Sequence, residues 1–512
     1  MNMKKWSKFL GSFCALMLIV SALFACEGSK STSNSDSTGE VSGSKSEPVK
    51  EEPKEISILA ITFTGTPAAE DEPTILELEK LSGYNIKIDY LLNSSYEDQL
   101  NTRMASGELP ALVALTGKTA SVISNIRAGA FWDITNYYKN YPNLSEANDI
   151  VMNNISVDGR IYGIYRSRAL GRNGISYRKD WLLNVGLEEP KTVDDLYNVL
   201  YAFTHNDPDQ NGKQDTYGMT WCKWFGPLDQ LSVAFGAPNK WGEDADGKLI
   251  PAFDTPEYME SMKFMKKLYD EGLVNKDFAA METSDWQTDF KNSISGVFID
   301  VSDQANRFQN YFIDQKQMPD DLVWIMGMVE GPKGKRVTPT SGHAGFVAIS
   351  KSGAPKEADM KDALKFLDIT NTKDGQNLLN FGVEGVHYDF NDKGEVVVRK
   401  FDQDPKEGLN QFMTNVTDKL LPIERKPVQQ RTVEVQAENI EYCVGNPAEP
   451  LTSDTYAEKG AQLDQLISDA RVQYVVSQID EAGFKAAIEQ WYTQGGQKIV
   501  EEYTAAYQAA KK

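Results

Sequence analysis

The sequence predicts an α/β protein of two lobes, and three observations carry that prediction. From Glu55 onward, short β-rich runs alternate with amphipathic helical stretches, the rhythm of mostly parallel sheets covered on both faces. About 455 residues follow that point, more than one hydrophobic core supports. A second β-rich region returns near residues 294–350 after a helical middle, where the chain is expected to cross back to its first lobe.

In chain order, an address comes before any fold element. Lys4, Lys5 and Lys8 precede a nearly uncharged run from Phe9 to Ala25, which ends at Cys26. This resembles a bacterial lipoprotein signal peptide, residues 1–25, with Cys26 acylated as the first mature residue. The apolar run is shorter than the about 20 residues that span a bilayer. Residues 26–55 are dominated by Ser, Gly, Lys and Glu and bury too little to offset ordering, so they read as a flexible tether. The expected location is the extracytoplasmic face of the bacterial cell membrane, with membrane contact through the lipid alone.

The first strand is "EISILAITF", followed by a helix around "EPTILELEKLSG", a strand "NIKIDYLL" and a helix through "YEDQLNTRMASGE". In "TVDDLYNVLYAF", Thr192 is placed as N-cap, with Asp194 and Asp195 in the first turn and Leu196, Val199, Leu200 and Phe203 on one face. "DTPEYMESMKFMKKLYDEGL" has Pro256 at a first helical position, Gly272 past the end, and Met262, Met265 and Leu268 as a core stripe. The end, from Tyr456, reads as several helices with Leu463, Leu466, Ile467, Tyr474 and Val475 at helical spacing.

Composition excludes several functions. The chain carries a formal charge of −21, and residues 1–25 hold three lysines and no acid, so nucleic acid is not an expected partner. Of the four cysteines, Cys14 leaves with the signal and Cys26 takes the lipid. Cys222 and Cys443 either pair or remain two separate thiols. The sequence has no GxSxG, GxxxxGK[ST], GxGxxG or HExxH, and only three histidines, which argues against the common catalytic constellations and against catalytic zinc. A glycosidase needs only two acids at the right separation, and no pair stands out.

Aromatic residues with polar neighbours are plentiful: "TWCKWFGP" with Trp221 and Trp224, and further Trp241, Trp286 and Trp324. Sugar rings present apolar faces to aromatic rings, while carboxylates and amides bond the hydroxyls. Trp181, in "RKDWLLNVGL", reads as core. One loop has a specific physical reading. In "DPDQNGKQDTYG", Asp207, Asp209, Asn211 and Asp215 alternate, Gly212 permits a sharp turn and the Lys213 carbonyl can face an ion. That is the spacing of a calcium loop through its ninth position. Gly218 stands where a bidentate Glu would complete it.

Five ordered stretches carry a resemblance over nearly the whole mature chain: "VDGRIYGIYR", "YRKDWLLNVGLEEPKTVDDLY", "NDPDQNGKQDTYGM", "FMKKLYDEGLVNKDF" and "GVEGVHYDFNDKGEV". Together they resemble the extracellular solute-binding lipoproteins of ABC importers, in the long oligosaccharide-binding branch that includes the alginate-binding proteins. The resemblance implies a type II periplasmic-binding-protein-like fold: two α/β lobes joined by hinge crossings, with the ligand cleft between them. It places residues 56–165 and 299–350 in the N-terminal lobe, and 166–298 and 351–512 in the C-terminal lobe. It implies a monomer without catalytic activity, whose partners are an oligosaccharide and the importer's permease subunits. It also implies a structural calcium held by Asp207, Asp209, Asn211, the Lys213 carbonyl and Asp215, with Thr216 where those relatives have Glu.

Ligand contacts vary with the sugar. Trp221 and Trp224 are expected as stacking platforms, and Glu384, His387 and Tyr388 of "VEGVHY" as polar contacts, unless that loop is a structural turn. Arg168, Trp241, Trp286 and His343 are further candidates. Two alternatives stay open: a binding protein of the same fold for a non-sugar solute such as a peptide, and a secreted carbohydrate-active enzyme.

Overall fold

The computed structural model describes residues 53–511 except 64, 284, 317, 413 and 415–418. The signal peptide, Cys26 and the tether up to residue 52 lie outside the described residues. Among those described, the strands in chain order are β1 (Glu55–Thr62), β2 (Asn85–Leu92), β3 (Leu112–Leu115), β4 (Gly163–Ser167), β5 (Asn173–Arg178), β6 (Tyr217–Met219), β7 (Trp241–Glu243), β8 (Leu249–Pro251), β9 (Ser295–Val301), β10 (Val323–Met326), β11 (His343–Ile349), β12 (Tyr388–Phe390) and β13 (Val396–Val398).

One sheet has the order β2-β1-β3-β11-β4. β1 is parallel to β2 and β3, and β11 is antiparallel to both β3 and β4, so β4 points the same way as β1–β3. The four residues of β3, "LVAL", are all buried, as a central strand covered on both faces requires. The second sheet has the order β10-β5-β9-β6, with β5 antiparallel to β10 and β9 and β6 parallel to β9. Val297 and Ile299 face one core and Phe298 the other, the alternation of a strand buried on both sides.

Each sheet has its own core. Ile58, Leu59, Val113 and Phe346 of the first pack with Met360, Leu364 and Leu367 of helix Glu357–Thr370. Trp181, Phe203, Met262 and Met265 of the second pack with Leu463, Ile467 and Val500 of the C-terminal helices. A further aromatic cluster, Phe290, Phe298, Phe308 and Phe312, fills the other face of the second sheet. The helix ends follow the sequence. Thr192 accepts from Asp195 N in a capping box, Thr255 caps the helix Pro256–Asp270, and Gly272 takes the left-handed φ of 73° past its end.

The placement of two segments departs from the expected boundaries. β9 and β10 join the second sheet, and the chain returns to the first only at β11. Helices Glu357–Thr370 and Lys373–Phe381 pack on the first core instead of the second. An apolar run states that a strand is covered on both faces and nothing about which sheet it joins. Residues 168–172 lead from β4 to β5, the segment between β10 and β11 leads back, and the chain leaves the first core again after Phe412 for the helix Pro427–Asn439, which packs against β10.

Cys222 and Cys443 are two separate thiols. Among the described residues no helix is long and apolar enough to cross a membrane.

Candidate functional site

The crossings bring one edge of each sheet together. The carboxyl ends of β1–β4 and the amino end of β11 share one edge of the first sheet. The amino end of β5 shares an edge of the second with the carboxyl ends of β6, β9 and β10. Only residues 168–172 separate the two edges along the chain. Ligands of open α/β sheets bind outside the carboxyl ends of strands, and here both sheets turn those ends toward the same crossings.

A cavity of about 1060 Å³ opens at the second edge. Its inner end is lined by Asn173, Asp300 and Thr338, and its walls by Trp224, Asp229, Trp241, Asp464 and Arg471. Trp224 is 51% exposed, and its ring meets Trp286 edge-on at 5.8 Å. Gly226 makes room for it, since a Cβ there would lie 2.2 Å from the indole. Arg471 lies 3.4 Å from Asp229 and over the rings of Phe225 and Tyr258 at 5.7 and 5.3 Å. Burial pushes the Asp300 and Asp464 carboxyls above the usual carboxylate range. Gln230 Oε1 and Arg471 Nε are buried without a hydrogen-bond partner, so the wall retains polar capacity for a solute rich in hydroxyls.

The other expected contacts divide. Trp221 is 2% exposed, packs edge-on against Phe278 at 5.6 Å, and lines no part of the cavity; it is core, its backbone N donating to Asn275 Oδ1 and its carbonyl accepting from Asn275 Nδ2. Trp286 is buried too, stacked on Phe298 at 4.2 Å with Nε1 donating to Thr220 O, and it supports Trp224 from beneath. Trp241 lines the outer end of the cavity, edge-on to Tyr503 at 5.0 Å. His387 is 1% exposed, with Nε2 2.9 Å from Glu72 Oε1 and Nδ1 accepting from Val383 N. Glu72 in turn caps the helix Pro73–Ser82. Tyr388 is buried beside Phe381 and Phe390. "VEGVHY" is therefore a structural turn clamped to that helix, with Glu384 exposed at its tip.

At the crossing itself, Arg168 is half-buried, its Nη1 donating to Ser167 O. His343 pairs with Ser167 across the sheet, and its Nδ1 accepts from Gly345 N. Burial pushes the His343 imidazole down to about 4. Two residues there were not legible as site residues: Arg166, near the end of β4, and Lys118, whose Nζ reaches Glu449 O at 2.8 Å. Arg166 had a signal, a charge closing the run "IYGIYR". Arg471 had one too, a lone cation in the apolar stripe of helix Asp454–Val475.

The acidic loop closes on itself. Asn211 Nδ2 donates to Asp209 Oδ2 at 2.8 Å and to Asp215 Oδ1 at 3.1 Å, and Gly212 N donates to Asp207 Oδ2. Burial and the neighbouring acids of Asp207 and Asp215 push the Asp209 carboxyl up, a strain that a bound cation would reverse. The donor set of carboxylates, amide and carbonyl suits a hard cation. Among the described residues no three His, Cys, Asp or Glu side chains are gathered into a metal cluster; here an amide stands between the acids. Thr216 bonds Phe203 O, and a Cβ at Gly218 would lie 2.8 Å from Leu200, so neither position supplies a further ligand.

Residues 62–377 match the family model described as bacterial extracellular solute-binding protein. The chain is 41% identical over 489 residues to lipoprotein LipO of Bacillus subtilis, covering 94% of this chain and 96% of that one. It is 35% identical over 471 residues to the polygalacturonan/rhamnogalacturonan-binding protein YtcQ of the same organism, covering 89% and 92%. Among solved structures, an HMO-binding solute-binding protein of Bifidobacterium longum infantis superposes with a TM-score of 0.69 at 19% identity, covering 89% of this chain and 99% of that one. An EF-hand mutant of the Streptococcus pneumoniae ABC-transporter substrate-binding protein FusA, in complex with fructo-nystose, superposes with a TM-score of 0.66 at 19% identity, covering 90% and 99%. The two-lobed type II fold, the family match over residues 62–377 and near full-length relatives agree: the chain belongs to the bacterial extracellular solute-binding protein family.

Proposed function

We propose that this chain captures an oligosaccharide outside the cell and delivers it to the permease subunits of an ABC transporter. The observation that carries this reading is the wall of the cavity. The exposed face of Trp224 stands beside Asp229, Gln230 and Arg471, an aromatic platform flanked by polar groups with bonding capacity left. Sugar-binding relatives of similar length support it. The protein acts by binding, not catalysis: the ligand stabilises the closed arrangement of the lobes, and the membrane subunits recognise that arrangement. It works as a monomer held at the outer face of the cell membrane by lipid on Cys26. The first lobe holds β1–β4, β11, the helices before β4 and those between Glu357 and Phe412, and the second holds the β5 sheet, the helices between β5 and β11 and the C-terminal helices.

Calcium is the structural ion of this reading, held by the side chains of Asp207, Asp209, Asn211 and Asp215 with the Lys213 carbonyl. It supplies the charge that keeps three acids together at the end of helix Val193–His205. The EF-hand of FusA supports it.

A thermal-shift screen of the purified mature chain against an oligosaccharide panel, with and without EGTA, tests both parts. A ligand at 100 times its Kd adds about 2.7 kcal/mol of stability, and EGTA should lower the ligand-free midpoint. A peptide, but no sugar, raising the midpoint would overturn the oligosaccharide. An unchanged midpoint in EGTA, with no ion found by elemental analysis, would overturn the calcium.

A further inference from the structure

Outside the cavity, polar contacts between the two cores gather on one short segment. Residues Glu449–Asp454 belong with the second core, on which Leu451 and the adjoining Ala448 pack. They lead directly into the helix Asp454–Val475, which carries Asp464 and Arg471 into the cavity wall. Three side chains that follow elements of the first core reach across to this segment. Lys118, in the loop after β3, donates from Nζ to Glu449 O at 2.8 Å. Arg127, the last residue of the helix Ala120–Arg127, donates from Nη1 to Asp454 Oδ1 at 2.8 Å. Its Nε and Nη2 hold both oxygens of Asp158, at 2.9 and 3.0 Å. Asp158 Oδ1 also accepts from Thr452 Oγ1 at 3.1 Å. Ile126 and Val157, the neighbours of Arg127 and Asp158, are buried in the first core.

The crossing between β10 and β11 joins the same segment. Ser341 Oγ donates to Glu449 Oε1 at 2.6 Å, and Asn154 Nδ2 donates to Ser341 O at 3.0 Å. Among the described residues, those lining the cavity come from the second sheet, its helices and the crossings; Lys118, Arg127, Asp158, Glu449, Thr452 and Asp454 are not among them. The first sheet therefore stands off the cavity while its flank is tied to the second core. A solute that touches both edges needs the first sheet to swing toward the cavity. Contacts that join the two swinging cores must give way as it does. Arg127, Asp158 and Asp454 are exposed to solvent, so their pairs are screened and weak enough to yield.

We propose that Arg127, Asp158, Thr452 and Asp454 form a clasp that holds the two cores in this arrangement and opposes the swing that closes the first sheet over a captured solute. The proposal rests on the closing motion of the function proposed above and not on the identity of the solute, since no clasp residue lines the cavity. Apparent affinity scales with the fraction of chains free to close. An exposed ion pair shifts such an equilibrium only a few-fold, so loosening the clasp should tighten capture by about two- to fivefold.

Small-angle X-ray scattering of the purified mature chain without solute is the first test. Asp454→Arg, which sets two guanidiniums against each other, should shift the free chain toward a smaller radius of gyration. Arg127→Glu combined with Asp454→Arg should restore the wild-type value, which separates the clasp from a fault in folding. Calorimetric titration with the oligosaccharide that most raises the melting temperature is the second. Asp454→Asn should bind it about two- to fivefold more tightly than the wild type, and the difference should shrink as added salt screens the clasp. Unchanged or weaker binding by Asp454→Asn at an unchanged melting temperature overturns the proposal and leaves the oligosaccharide reading standing. So does a free Asp454→Arg chain with the wild-type radius. Failure of every sugar to bind overturns the oligosaccharide reading instead, and the scattering of the free chains then decides the clasp alone.

Discussion

Trp221 and Trp224 are three residues apart in one short loop, and the structure gives them opposite duties. Truncating the buried one, Trp221→Ala, should cost about 3–5 kcal/mol of stability by leaving a cavity beside Phe278, with ligand preference unchanged. Trp224→Ala should lower sugar affinity at least tenfold and move the midpoint of the free protein little, since half of that side chain already meets solvent. Chemical denaturation and titration of the two variants together check both. Their aromatic character was legible in the sequence; their orientation was not, because a three-residue strand such as β6 shows no period by which to tell inside from outside. His387 misleads in the same way. A histidine in a glycine-bearing loop resembles a ligand contact, yet its partner Glu72 lies more than 300 positions away. His343 offers a pH test. Its folded-state pKa is depressed to about 4 by burial, so at low pH the unfolded chain binds the proton more readily. Its contribution to stability is present above about 6.5 and is lost as pH falls toward 4. Between pH 7 and 4 the wild type should lose about 2–3 kcal/mol more than His343→Gln, measured by denaturant unfolding at each pH.

Among the elements, those with strong local signals stand where the sequence puts them. Capping residues Thr192 and Thr255, the Pro256 start and the Gly272 stop bound their helices, because caps are satisfied within one turn and need no distant partner. The pairing of strands was not legible in the same way. β9 and β10 lie in the second sheet, and only contacts far apart in the sequence decide that. One such contact is testable. Gly296 in β9 lets the helix Val193–His205 and Trp181 approach, and a Cβ there would lie 2.3 Å from Phe203 and 2.6 Å from Trp181. Gly296→Ala should cost about 1–3 kcal/mol by overpacking, read as a lower urea midpoint at an unchanged slope. The acidic loop belongs to this scale as well. Its ligand spacing could be read directly, but the hydrogen bonds by which Asn211 ties Asp209 to Asp215 could not.

At the scale of the whole molecule, two sheets with separate cores are joined by crossings and by contacts such as the Arg127–Asp454 ion pair, and offer their edges to a solute. That arrangement converts binding into a change of shape, since a ligand touching both edges favours the state in which they are close. The two-lobed plan was legible from length and rhythm; the cavity's lining was not, because Asn173, Trp224, Asp300 and Arg471 enter it from separate parts of the chain. The most direct test of capture without catalysis is calorimetric titration of the mature chain with the oligosaccharide that most raises its melting temperature, with mass spectrometry of the sugar recovered afterward. The account predicts saturable binding of one sugar per chain, weakened at least tenfold by Trp224→Ala, with the sugar recovered intact. Absence of saturable sugar binding, or recovery of a cleaved sugar, would contradict it.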